Sequence, residues 1–256
     1  SEEFPLLRTH LIPGLLTALQ RNFARGAKNV AIFEIGSVFR NTASQTKGIS
    51  PELTKKPSTK VIEQIYAAVP QQMLFVGGVL TGESIKSGWQ GKGLSFTWQD
   101  AVAKATEIVE LSGNTYEIIG TELAPWHPGR CAELKVGGKA VAHAGELHPR
   151  VCAALNLPER TCVFAVILSE LPFVKHEHQT KIWNFPAVVQ DVALLVDEKI
   201  PASSVEQSLI EGAGDLLESI ELFDRYDQIG GGNISLAFTL TFRSPDQTLT
   251  ADQVAK

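Results

Sequence analysis

The chain has 256 residues, 44% hydrophobic and 20% charged, with a formal net charge of −5, enough to bury a real core as one large or two ordinary domains; two is the reading adopted. Its longest apolar runs, such as "VFAVIL" at 163–168, fall far short of the roughly 18 to 20 residues that span a bilayer, and no basic stretch leading into an apolar one opens it, so a soluble protein is expected. The charge is uneven: residues 183–256 hold four Lys+Arg against twelve Asp+Glu, a balance of −8, while residues 1–182 carry +3, so nucleic-acid contact in the second part must be local rather than long-range.

The segment "HLIPGLLTALQRNFARG" predicts a helix, with Pro13 in its first turn, Leu15, Leu19 and Phe23 on one face, and Gly26 placed to end it. "NVAIFEIGSVF" follows as a buried strand, because its apolar run is nearly continuous and lacks helical periodicity. Residues 41–60 are polar and broken by Gly and Pro, a surface loop. "MLFVGGVLTG" reads as a strand, and "SFTWQDAVAKATEIVELSG" as an amphipathic helix with Val102, Ala105, Ile108 and Val109 in one stripe, closed by Gly113. "CAELKVGGKAVAHAGELHP" is a strand, a Gly-Gly turn and a strand. Pro149 opens a short helix, and "TCVFAVIL" is a further buried strand.

Residues 169–183 lose periodicity and gain charge, which puts a linker between domains 1–168 and 184–256. Beyond it the order is strand, helix, strand, turn ("DQIGGGN"), strand and the start of a helix, the opening of a ferredoxin-like split βαβ module whose last strand is missing. The fold class is α+β, with antiparallel sheets. Alternation puts Leu236, Phe238, Leu240 and Phe242 towards the helices, with Val192, Leu194 and Val196. It leaves Phe223, Arg225 and Arg243 on the open face, where an aromatic beside two arginines could stack bases.

Cys131, Cys152 and Cys162 have no CxxC spacing and sit among apolar residues, so they read as reduced, buried thiols in a cytoplasmic setting. "SGWQGKGLS" lacks the spacing of a phosphate loop, and "IGGGN" suits a hairpin turn. His127, His143 and His148 read as structural, with two of them before prolines, and His176 and His178 as solvated linker residues. No metal site and no catalytic acid–base pair is expected. Arg40, ending the strand of "FEIGSVFR", has a fork that could grip a phosphate; equally, an arginine ends a strand by carrying its charge out to water.

Taken in order, "LLRTHLIPGLLTALQRN", "FEIGSVF", "HPGRCAEL" and "GELHP" resemble the class II synthetase-like core of the bacterial phenylalanyl-tRNA synthetase β-subunit family. "FPAVVQDVALLVD", "LLESIELFDRY" and "SLAFTLTFRSPDQTLT" resemble that family's ferredoxin-fold anticodon-binding domain. The resemblance implies part of an α₂β₂ ligase that charges tRNA(Phe), using ATP and Mg²⁺, in which the α subunit performs activation and this part of β keeps the catalytic fold as scaffold. Neither ATP nor Mg²⁺ is expected to bind this stretch, and no membrane or DNA partner is implied. By position Arg40 matches the arginine that clamps ATP in the second signature motif of class II enzymes. The acidic residue expected soon after it is absent from "NTASQTKGIS" and no third motif follows, so the resemblance makes Arg40 a relic and leaves no catalytic residue here. It implies anticodon contact through the open sheet, where alternation makes Phe223, Arg225 and Arg243 the candidate contacts. Two other readings stay open: an autonomous ATP-using ligase built around Arg40, and a ferredoxin-like regulatory module that binds a small metabolite.

Overall fold

The computed structural model describes residues 6–41, 47–51, 54–172, 174 and 183–254. The chain divides into two compact units, Ser1–His176 and Glu177–Lys256; His176 and His178 lie outside the described residues.

The first unit opens with α1 (Ile12–Ala24), which has Pro13 in its first turn, and Gly26 follows it at φ +90°. Leu15 and Leu19 are buried as predicted, whereas Phe23 is exposed. Strand β1 (Val30–Arg40) comes next. After the polar loop, α2 (Thr59–Ala67) is capped by Ser58, whose hydroxyl accepts from the Val61 N–H. Strand β2 (Gln71–Thr81) and the short hairpin of β3 (Glu83–Ile85) and β4 (Leu94–Ser95) lead to α3 (Trp98–Leu111). The start of α3 is fixed by the Asp100 carboxylate, which accepts from the Thr97 N–H at 2.7 Å, satisfying a donor that the first turn leaves open.

Strands β5 (Glu117–Gly120), β6 (Trp126–Val136) and β7 (Lys139–Leu147) follow, then α4 (Pro149–Ala154) and β8 (Cys162–Ile167). Gly137 and Gly138, at φ +56° and +78°, make the predicted tight turn between β6 and β7; two successive left-handed residues match the twist of a hairpin. The main sheet has the order β1-β2-β8-β7-β6-β5, and every pairing is antiparallel.

Helices cover this sheet on both sides. One core joins α1 to β2 and β8 through Leu11, Leu19, Phe75, Val79 and Val163; the other joins α3 to the opposite face through Ala105, Val109, Leu134, Ala144 and Phe164. Gly77 lets α1 settle on β2, since a Cβ there would lie 3.2 Å from that of Leu11, and Gly78 leaves room on the other face for the Phe164 ring. The expectation of a buried β1 needs correction. It is an edge strand, and on its α3 side Phe33 and Ile35 remain 70% and 58% exposed, because α3 packs over β7 and β8 rather than β1.

The second unit runs β9 (Val188–Asp197), α5 (Ala202–Ala213), β10 (Leu217–Gly230), β11 (Asn233–Phe242) and α6 (Ala251–Val254). Its sheet has the order β10-β11-β9, again antiparallel. Burial alternates along β11 as predicted: Leu236, Phe238, Leu240 and Phe242 are buried with Val205 and Leu249, and Val192, Leu194 and Val196 pack against them. The turn after β10 is shorter than predicted, because the strand continues to Gly230 and only two residues, both glycines with positive φ, separate it from β11.

Candidate functional site

Arg40 ends β1 opposite Gln71, on the face that carries α1. Its guanidinium lies over the Phe75 ring, 5.6 Å from the centroid, within the range where a cation is attracted by an aromatic face. Phe75 is buried, and His10 meets its edge with ring centroids 6.3 Å apart. Partial loss of water around the imidazole, and then the Arg40 charge, lower the His10 pKa. Val38, Met73 and Leu11 are buried in the same core. A magnesium-bound triphosphate needs opposed cations and metal-binding carboxylates. Among the described residues, these groups around Arg40 are aromatic or apolar apart from His10 and Gln71, and none is a carboxylate, a poor fit to that ligand.

The strings "LRTH" and "FEIGS" have a structural explanation. Arg8 donates from Nε to the Ser37 carbonyl at 2.9 Å and pairs with Glu34, while the Phe39 N–H donates to the Arg8 carbonyl. Gly36 makes room for this, since a Cβ there would strike the Arg8 guanidinium. "HPGRCAEL" and "GELHP" are likewise joined: Arg130 donates to both oxygens of the buried Glu146 at 2.9 and 3.1 Å, and Arg160 stands 3.5 Å away. A Cβ at Gly145 would meet the Arg130 carbonyl at 2.2 Å.

The three histidines serve different local roles. His148 accepts the Arg150 N–H at the start of α4, His127 stacks loosely near His148, and His143 contacts the Glu133 carboxylate at 3.2 Å. Lys135 also bonds Glu133 and, with His143, holds its pKa below the usual carboxylate range. Burial pushes the thiols of Cys131 and Cys162 up to about 11 and about 12. Groups of three or more His, Cys, Asp or Glu that could hold a metal do not occur among the described residues.

In the second unit the predicted contacts separate. A register shift between Leu222 and Asp224 makes Phe223 an extra residue, and from there the faces exchange. Asp224 and Tyr226 stand opposite Ala237 and Ser235 on the open face, whereas Arg225 stands opposite the core residue Leu236 and pairs with Asp227 at 2.8 Å. Arg225 is therefore not on the open face. Arg243 is occupied as well: Nε donates to Glu218 at 2.7 Å, Nη1 to the Phe185 carbonyl at 3.0 Å, and the guanidinium lies over Trp183. What the open face presents is acidic at its centre and apolar at its ends. Asp191, bonded to Thr239 at 2.7 Å, lies in register with Glu221, and Val189, Leu195 and Tyr226 are exposed. Strict alternation cannot locate the bulge, and so does not place Tyr226 on this face.

An apolar groove of about 620 Å³ runs between α3 and β1, lined by Phe33, Ile35, Val76, Ile108, Leu111 and Phe164. Family models match in the order that the two units have. Residues 1–168 match the phenylalanyl tRNA synthetase beta chain CLM domain, and residues 184–256 the ferredoxin-fold anticodon binding domain. The chain belongs to the phenylalanyl-tRNA synthetase beta-chain family. Relatives in that family named phenylalanine–tRNA ligase beta subunit include those of Streptomyces avermitilis, 43% identical over 100% of this chain and 32% of the relative, and Thermobifida fusca, 42% identical over 99% and 31%. The subunit of Cutibacterium acnes is 42% identical over 96% and 30%. The chain thus spans about a third of the length of these beta subunits.

Proposed function

We propose that this chain is the synthetase-like and anticodon-binding portion of a beta subunit in a cytoplasmic α₂β₂ phenylalanine–tRNA ligase. In this reading the ligase charges tRNA(Phe) with ATP and Mg²⁺, the α subunit carries the chemistry, and residues 1–168 are a non-catalytic partner. Linker 169–183 joins them to an RNA-contacting module at 184–256. The observation that carries the proposal is the pair of family matches in one chain, in order. The surroundings of Arg40 support the non-catalytic part of it, since Phe75, His10, Val38, Met73 and Leu11 supply neither an opposed cation nor a metal-binding carboxylate. The exposed groove beside Phe33 and Ile35 supports work in close contact with other protein.

For the second unit, the open sheet meets the anticodon region by local contacts. Phe223 offers a ring that is 55% exposed and Tyr226 one that is 50% exposed, while Arg243 reaches RNA only by giving up Glu218, and Arg225, on the other side of the sheet and paired with Asp227, makes no open-face contact. The decisive experiment is phenylalanine-dependent pyrophosphate exchange. The chain alone shows none, and activity appears when the α subunit and the remainder of β are supplied. Exchange by the chain alone, weakened by Arg40→Ala, selects the autonomous ligase instead. Thermal stabilisation by free phenylalanine but not by tRNA selects the metabolite-binding module.

A further inference from the structure

The hairpin of β3 and β4 has no part in the proposal above, yet it carries the most exposed tryptophan among the described residues. Trp89 is 94% exposed. It stands with Gln90 at a tight tip closed by a reciprocal pair of backbone bonds, Gly88 N–H to Gly91 O at 3.0 Å and Gly91 N–H to Gly88 O at 3.1 Å.

The stem below the tip is braced rather than loose. Glu83 accepts from the Ser87 hydroxyl at 2.7 Å, the same hydroxyl accepts from the Gly93 N–H at 3.0 Å, and Ser84 donates to the Leu94 carbonyl at 3.1 Å. Gly93 has no room for a side chain, since a Cβ would lie 2.5 Å from the Ile85 carbonyl. The root is tied to the body of the unit where the Glu83 N–H donates to Asn29. A fully exposed indole on such a support loses little freedom when it is covered.

Charge selects the class of partner. Lys86 and Lys92 stand three residues either side of Trp89, and no acidic residue lies between them. The carboxylate of the stem, Glu83, accepts from Ser87 and keeps its charge within reach of Lys86, so Lys92 is the cation of the tip with no acidic neighbour of its own among these contacts. An exposed indole with two lysines in the same hairpin fits a base and nearby phosphates, which is how single strands are held without sequence preference. The geometry points to the hairpin tip at 86–92 as a contact for unpaired RNA, with Trp89 stacking on a base and Lys86 and Lys92 meeting phosphates. This site lies in the first unit and does not depend on the anticodon reading of the second.

The test uses the 256-residue chain with a twelve-nucleotide oligouridine and an RNA duplex of the same length. Ultraviolet crosslinks to the single strand map to Trp89. Trp89→Ala weakens binding about tenfold, Trp89→Phe restores most of it, and the duplex binds less tightly. Lys86→Ala with Lys92→Ala flattens the dependence of log affinity on log salt by about 1.4, roughly 0.7 for each phosphate lost. Phe223→Ala and Tyr226→Ala leave the crosslink in place, so failure of the anticodon reading is seen separately. All the substituted side chains are exposed, and unchanged circular dichroism is the check on folding. Unchanged affinity in Trp89→Ala, or crosslinks confined to residues 184–256, overturns the inference. So does a Trp89 that is covered by another protein in the assembled enzyme and never reaches RNA.

Discussion

Glu146 and Arg130, sixteen residues apart on neighbouring strands, form a doubly bonded ion pair in which the carboxylate side chain is only 3% exposed. Since Arg160 also stands 3.5 Å from the same carboxylate, the buried charge has two partners, and the Arg130 bond needs both strands in register. This pair links the strings "HPGRCAEL" and "GELHP" within the chain, which gives both of them a role in folding.

Glu146→Gln is therefore expected to destabilise the first unit by about 1–3 kcal/mol, the cost of leaving buried polar groups poorly matched. Arg130 is 41% exposed in its side chain, which keeps the loss below the roughly 3–5 kcal/mol of a broken, fully buried pair. Chemical denaturation of the single variants and of Glu146→Gln with Arg130→Met measures it. Strict additivity of the two would show that the pair is not coupled.

Arg243→Ala is expected to lower the stability of the second unit by about 1–3 kcal/mol in the absence of any RNA, because the residue bonds Glu218 and the Phe185 carbonyl and lies over Trp183. Arg225→Ala, removing an exposed pair with Asp227, should change stability by less than about 1 kcal/mol. Thermal melts of the two variants separate these roles, and equal effects would contradict the assignment.

Much of the architecture was legible because its signals are local. Pro13 and Gly26 bound α1, Gly137–Gly138 mark a hairpin, and the period-two pattern of β11 names its core face. Two errors share a physical origin, in that each depends on what lies alongside a strand. The composition of β1 cannot say that α3 stops short of it, leaving Phe33 uncovered. In β10 one extra residue at Phe223 moves Arg225 across the sheet, and nothing in "ELFDRY" marks that position. The seat of Arg40 on Phe75 joins residues on two paired strands, a relationship that no single stretch of chain contains.

His10 supplies a pH test. Its pKa is lowered below the ordinary 6.5, first by desolvation and then by Arg40. The unfolded chain then takes up a proton before the folded one, so this group's contribution is complete above pH 6.5, fades as the pH falls from there to the folded pKa, and is constant below it. Arg40→Gln should raise the His10 pKa only part of the way, because burial is the larger cause. Imidazole proton shifts followed by NMR give both numbers, and a full return to 6.5 would contradict this order of causes.

The cysteines should be inert in the folded chain. With Cys131 and Cys162 pushed up to about 11 and about 12 and all three thiols buried, little thiolate exists at pH 8. A disulfide reagent should modify none of the three rapidly in the native chain and all three in denaturant. Rapid labelling of the native chain would mean that the sheet opens far more readily than its packing implies.

The relic assignment of Arg40 is tested most directly by equilibrium binding of a nonhydrolysable ATP analogue with magnesium, compared between the parent chain and Arg40→Ala. The account predicts no saturable binding in either, together with a loss of about 1–2 kcal/mol of stability in the variant as the cation leaves the Phe75 ring. Saturable binding by the parent chain that Arg40→Ala abolishes would contradict it.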